Sequence, residues 1–140
     1  IGRTSRNDIM FGAPGLAYVY RIYGVHWCLN AVTDTIDFPA AVLIRALEPL
    51  KGLSEMRRRR GLSATAPDRD LMSGPGKLAA ALGITGEHNA HRLDRSPLWI
   101  TAGDPVDATD IVAGPRIGIT RAADWPLRFH ERGSHWISRR

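Results

Sequence analysis

The side chains best suited to gripping a flat ligand crowd into one stretch, Tyr18 to Asn30, which reads YVYRIYGVHWCLN. It holds every tyrosine (Tyr18, Tyr20 and Tyr23), the sole cysteine, Cys28, the imidazole of His26 and the carboxamide of Asn30. On a strand, alternate side chains share a face, so Tyr18, Tyr20 and Ile22 line one side and Val19, Arg21 and Tyr23 the other. Gly24 then offers a turn and a place where backbone can come close to a ligand. Aromatic strands most often cover a core or a sheet face, because rings fit a pleated surface. Tyr23 fits that reading poorly, since a ring beside a turn is badly placed for a core. At the tip of a hairpin on a basic protein, it is suited to wedging between stacked bases.

Other chemistry-bearing residues are scattered. Arg45 interrupts an apolar run, AAVLIRAL (Ala40 to Leu47). A guanidinium there must either pair, with Glu48 or another carboxylate, or face a site. The opening arm supplies Arg3, Thr4, Ser5, Arg6 and Asn7, all able to hold phosphate or simply to be solvated. SGPGK (Ser73 to Lys77) lacks the spacing of a nucleotide phosphate loop, yet its glycines and Lys77 could hold one backbone phosphate. His88 and His91 form an HNAH pair, and a metal would need two further ligands that the sequence does not supply. No metal and no cofactor is expected.

The elements that must position these groups follow from pattern. The 140 residues suit one domain, and 44% hydrophobic content argues against disorder. The net charge of +5 favours an anionic partner, although the excess is almost all arginine, with Lys51 and Lys77 the only lysines. A single cysteine excludes an internal disulfide and points to a reducing compartment, the cytoplasm or nucleoid, or the nucleus in a eukaryote. No apolar run reaches membrane-spanning length, and no membrane partner is expected. The chain starts at Ile1 rather than Met, so the natural start is expected to lie upstream.

The hairpin pairs Tyr18 to Tyr23 with Val25 to Val32, and Ala40 to Leu47 reads as a buried strand. Glu48 to Arg60 reads as a helix with Pro49 in its first turn, Gly61 at its end and Arg57 to Arg60 as a solvated terminus. A second helix spans Lys77 to Leu82, with Ser73 as cap and Gly83 as stop. Residues 97–101 and 116–120 read as strands, 107–115 as a loop, and 125–138 as strand, Gly-Ser turn and strand. The fold class is α+β, as a single domain over 1–140.

Taken in order, RTSRN, MFGAPG, YVYRIYGVHWCLN, VLIRALEPLKGL, SGPGKL, RIGIT, PLRF and RGSHWIS resemble the alkyladenine (3-methyladenine) DNA glycosylase family, of methylpurine-DNA glycosylase type. That resemblance implies a curved, mostly antiparallel sheet, open-barrel-like, with peripheral helices and a protruding aromatic hairpin. It implies a monomer acting on double-stranded DNA containing damaged purines. The family flips the nucleotide out of the duplex and hydrolyses its N-glycosidic bond. Tyr23 resembles the wedge, and Gly24, Val25 and His26 flank it on the DNA side, the last two at positions that vary in the family. Tyr20 resembles a ring that stacks on the flipped base, a contact that rewards a cationic purine. Asn30 resembles the residue that crowds the 2-amino group of guanine, and Tyr18 and Cys28 match the pocket wall. Arg45 resembles a supporting arginine near the attacking water. Arg3, Arg6, Lys77 and Ser134 are the remaining candidates for DNA contact.

Two departures accompany the resemblance. The family's general-base glutamate lies in a segment upstream of RTSRN, so no catalytic base is expected within the chain, and the domain is expected to lack its N-terminal segment. His135 stands where many relatives have proline after the serine. The competing expectation is a non-catalytic nucleic-acid-binding module built on the same aromatic hairpin.

Overall fold

The computed structural model describes residues 2–118, 120 and 122–138. The architecture is α+β, with every strand pairing antiparallel. A short 3-10 turn, Asp8–Phe11, leads into β1 (Ala17–Ile22), β2 (His26–Val32) and β3 (Ala41–Leu43), a sheet in that order. Helices α1 (Leu53–Arg60), α2 (Arg69–Met72) and α3 (Pro75–Leu82) follow. A 3-10 turn at Gly86–His88 precedes the small pairs β4 (Asp94–Arg95) with β5 (Leu98–Trp99), and β6 (Ile111–Gly114) with β7 (Arg128–Glu131). Among the described residues no helix is long and apolar enough to cross a membrane.

The core explains which face of the hairpin is free. Ala17, Val19 and Leu29 cluster with Ala79, Ile84 and Leu93. Ala17 and Val19 alternate with the tyrosines, so the apolar side of β1 and β2 lies against α3, and the tyrosine side looks away. The small side chain of Ala79 lets α3 approach the sheet closely. A second cluster, Leu71, Met72, Leu78 and Ala81, ties α2 to α3, and Ile44 and Leu82 pack on both clusters.

Several expected elements are shorter or displaced. The strand expected over Ala40 to Leu47 leaves the sheet early: Ile44 N–H donates to Leu29 O at 3.0 Å, and Leu47 N–H then reaches Met72 O at 3.3 Å. The helix begins at Leu53 because Gly52 is left-handed (φ 74), a conformation that a helix interior excludes. Ser73 does not cap α3; Gly74 holds the cap position, and the Ser73 hydroxyl instead accepts from Lys77 Nζ at 3.4 Å. Of RIGIT, Arg116 to Gly118 bend rather than extend, with Gly118 at φ 75, and Ile119 lies outside the described residues. Pairing falls instead on β6, within the expected loop 107–115, and β6 takes β7 as its partner. No strand forms after Gly133 among the described residues of the last segment.

Candidate functional site

The register of the hairpin decides which side chains meet. Tyr18 faces Asn30, Tyr20 faces Cys28 and Ile22 faces His26, so the six share one face, and Asn30 also opposes Leu43 of β3. Three residues, Tyr23 to Val25, lie between the paired Ile22 and His26, with Val25 N–H donating to Ile22 O at 3.1 Å. The first two are left-handed, Tyr23 at φ 51 and Gly24 at φ 70, as at the centre of a type I′ turn. That turn favours Asn or Gly at its first central position, and a bulky side chain there is strained. Tyr23 holds it while remaining 83% exposed, so almost no packing rewards the strain. Backbone strain without a packing return collects at functional positions. Val25 and His26 beside it are also exposed.

Below the tip, the tyrosine face is largely covered. The Tyr18 and Tyr20 rings lie 5.2 Å apart at 32°. The Arg6 guanidinium sits over Tyr20 at 5.2 Å and donates through Nη2 to Arg21 O at 3.2 Å. Cys28 and Asn30 are buried. Asn30 donates its Nδ2 to Tyr18 O at 3.0 Å across the pair, and a carbonyl opposite fixes the amide orientation. Burial pushes the Tyr18, Tyr20 and Cys28 ionisations upward, and the Tyr20–Cys28 hydrogen bond joins the two groups. All three are therefore neutral near pH 7. The face offers uncharged aromatic surface suited to a flat, electron-poor ring, with a guanidinium seated on Tyr20.

Arg45 stands between this face and a cavity of 640 Å³, shared with Glu48, Arg128, His130 and Ser134 among others. Burial, then neighbouring Arg128, weakens its hold on its proton, while Cys28 and Tyr20 oppose that shift. Of the two alternatives the sequence leaves for Arg45, the ion pair does not form: among the described residues Arg45 makes no salt bridge. The structure thus brings Arg45 to the tyrosine face and Ser134 to the same cavity as Arg45. Among the described residues no carboxylate contributes to the electrostatics of Tyr18, Tyr20, Cys28 or Arg45.

The other candidates divide. Arg3 is committed, with Nε 2.5 Å from Asp8 and Nη1 3.4 Å from Asp37, so it is a poorer phosphate ligand than Arg6, which has no carboxylate partner. Lys77 is half-buried and held by Ser73 near the start of α3. The arginine run is not merely solvated. Arg57 binds Asp68 and Ala66 O, Arg58 and Arg59 bind Glu55, and Arg59 also reaches Ala81 O at 3.3 Å. Those bonds hold the Glu55 carboxyl down at about 2. His88 Nδ1 accepts from Thr85 N–H, and His91 Nε2 lies between the carbonyls of Arg95 and Leu98 at 2.9 and 3.0 Å. Among the described residues no group of three His, Cys, Asp or Glu is placed to hold a metal ion. Sequence reasoning missed Arg128 beside Arg45, and the double use of Arg6. The RTSRN motif held a signal for Arg6, but nothing in the sequence pairs residues 45 and 128.

The sequence profile of Methylpurine-DNA glycosylase (MPG) matches residues 1–135. A protein of Rhodopseudomonas palustris strain HaA2, named "Putative 3-methyladenine DNA glycosylase", is 55% identical over 139 residues, covering 98% of this chain and 66% of its own. Proteins bearing the same name from Nitrobacter winogradskyi and Methanoculleus marisnigri are 52% and 51% identical, each covering 99% of this chain and 64% and 72% of their own lengths. The chain spans about two thirds of the length of the curated relatives it matches.

Proposed function

The chain belongs to the methylpurine-DNA glycosylase family, and from that premise we propose that it forms the lesion-reading part of an enzyme that hydrolyses the N-glycosidic bond of alkylated or deaminated purines in duplex DNA. The carrying observation is the 83% exposed side chain of Tyr23, held in a left-handed backbone conformation in the turn of the hairpin that carries the covered aromatic face. Tyr23 enters the minor groove and fills the space left by the flipped nucleotide, flanked by Gly24, Val25 and His26. The base stacks on Tyr20, with Tyr18 and Cys28 as neighbouring wall, and Arg6 beside that ring holds a backbone phosphate. Asn30, already bonded to Tyr18 O, stands where it can crowd the 2-amino group of guanine. Arg45, Lys77 and Ser134 hold the backbone, and Arg3 braces the opening arm through Asp8 and Asp37.

An alkylated purine is a cationic leaving group, so bond breaking needs little acid catalysis. Water must still be activated to attack the sugar carbon. With no carboxylate acting on the tyrosine face, the general base comes from the upstream family segment. The same observation favours a second reading, a binding module without catalysis. Competition binding tests the shared part of both: duplexes carrying an abasic site or etheno-adenine should outcompete intact duplex of the same sequence. Equal affinity for all three refutes lesion reading.

A further inference from the structure

Resting on the wedge reading of Tyr23, we propose that Gly76 and Gly86 are positioning residues that set the attitude of the hairpin tip by gripping its root. The tip has no anchor of its own, since Tyr23 and Val25 are 83% and 63% exposed. Its aim is therefore inherited from His26 and Trp27, the first two residues of β2. Both are held by glycines. A Cβ on Gly76 of α3 would lie 3.1 Å from His26 Cβ and 3.2 Å from its Cγ. A Cβ on Gly86 would lie 2.9 Å from Trp27 Cη2 and 3.3 Å from Cζ3. Trp27 cannot swing aside freely, because the Arg21 guanidinium sits over its ring at 5.4 Å and the two residues pair across the strands.

Neither glycine has a positive φ, so alanine at either meets no backbone objection and acts through the contact alone. In α3, alanine is even favoured by helix propensity. The two contacts differ in stiffness. His26 Cβ is fixed to the backbone, so Gly76→Ala must move the strand itself, whereas Gly86→Ala presses on the far edge of a ring. A shift of roughly 0.3 Å at a strand spaced about 4.8 Å from its neighbour tilts the hairpin enough to move a tip two residues on, roughly 7 Å away, by about half an ångström. Misplacement on the order of 1 Å costs about 100-fold where geometry governs the step, so binding that depends on the wedge should fall roughly 3- to 10-fold.

The test measures affinity for abasic-site duplex and the melting temperature for Gly76→Ala, Gly86→Ala, Tyr23→Ala and Gly103→Ala. Gly103 has nothing within 4 Å of a built Cβ and serves as the control. The expected result is weaker lesion binding by both Gly76→Ala and Gly86→Ala and control behaviour for Gly103→Ala. Gly86→Ala combined with Trp27→Phe, which removes the obstructing ring edge, should recover most of the affinity. If Tyr23→Ala weakens binding but both glycine variants bind as the control does, the positioning role is overturned and the wedge stands. If Tyr23→Ala binds normally, the wedge reading itself fails. Should Gly76→Ala lose stability as well, the Gly86 and Trp27 pair decides: non-additive affinities support the grip, and additive ones overturn it.

Discussion

Replacing Tyr23 by asparagine should separate stability from recognition. A left-handed residue other than glycine costs about 1–2 kcal/mol, and asparagine tolerates the conformation better than a bulky ring. Relief of that strain should return about 1 kcal/mol. Against it stands the packing of the tyrosine, which is small, because the residue is 83% exposed. The covered sixth of a ring side chain amounts to about 35 Å², and at about 25 cal/mol per Å² its loss costs about 0.9 kcal/mol. The two nearly cancel, so Tyr23→Asn should melt within about 5 °C of the unsubstituted chain. Recognition should behave differently. A lost base–ring stack is worth about 1–3 kcal/mol, which is about 5- to 150-fold in affinity for abasic or flipped DNA. Thermal unfolding and fluorescence anisotropy on one preparation read both quantities. A fall of melting temperature beyond 10 °C with lesion affinity retained would refute the reasoning, since Tyr23 would then be a packing residue.

Further outcomes follow from the same geometry. Asn30→Ala removes a buried side-chain hydrogen bond to Tyr18 O while the ladder bond to that carbonyl remains, so it should destabilise the fold by about 0.5–1.5 kcal/mol; joined to the catalytic segment, it should also raise guanine release relative to adenine-type lesions on intact DNA. Arg6→Ala should weaken intact and damaged duplex alike and flatten the log–log salt slope by about 0.9, because a single phosphate contact is removed. Cys28, whose folded ionisation is raised by burial and by no carboxylate, should stay unreactive toward a disulfide reagent at pH 7. The sign is that of a neutral form favoured by folding: the contribution is full below the ordinary thiol value of 9.0 and is lost as pH rises through the higher folded value, so melting temperature should drop above pH 9 more for the unsubstituted chain than for Cys28→Ala.

The hairpin was legible because alternation and a glycine are local signals. Its register, which puts Tyr20 opposite Cys28 and Tyr18 opposite Asn30, requires a three-residue loop, Tyr23 to Val25, one residue more than the shortest turn at Gly24 would use. What escaped was set by distant partners. The sequence offers Arg45 either an ion pair or a place at a site, and the chain, turning toward Met72 after Ile44, carries the guanidinium toward Arg128. The final strand found its partner in β6, inside a stretch rich in loop-forming residues, because pairing is decided by the neighbour rather than by propensity. Arg57 to Arg60 read as a charged helix end, and only the fold shows them tying α1 to Asp68 and α3. Gly76 and Gly86 carried no message in the sequence, since what they make room for lies 50 and 59 positions earlier in the chain, at His26 and Trp27.

The central claim is best tested by single-turnover base release from alkylated duplex DNA, comparing these 140 residues with the same chain extended through the upstream family glutamate. The account predicts lesion-selective binding by both and release by the extended chain only, since a positioned general base is worth about 10²–10⁴-fold. Equal release rates for the two would contradict it, placing the base inside the described residues and the water on the side of Glu48. No release by either would contradict the glycosylase reading and leave the aromatic hairpin as the core of a binding module.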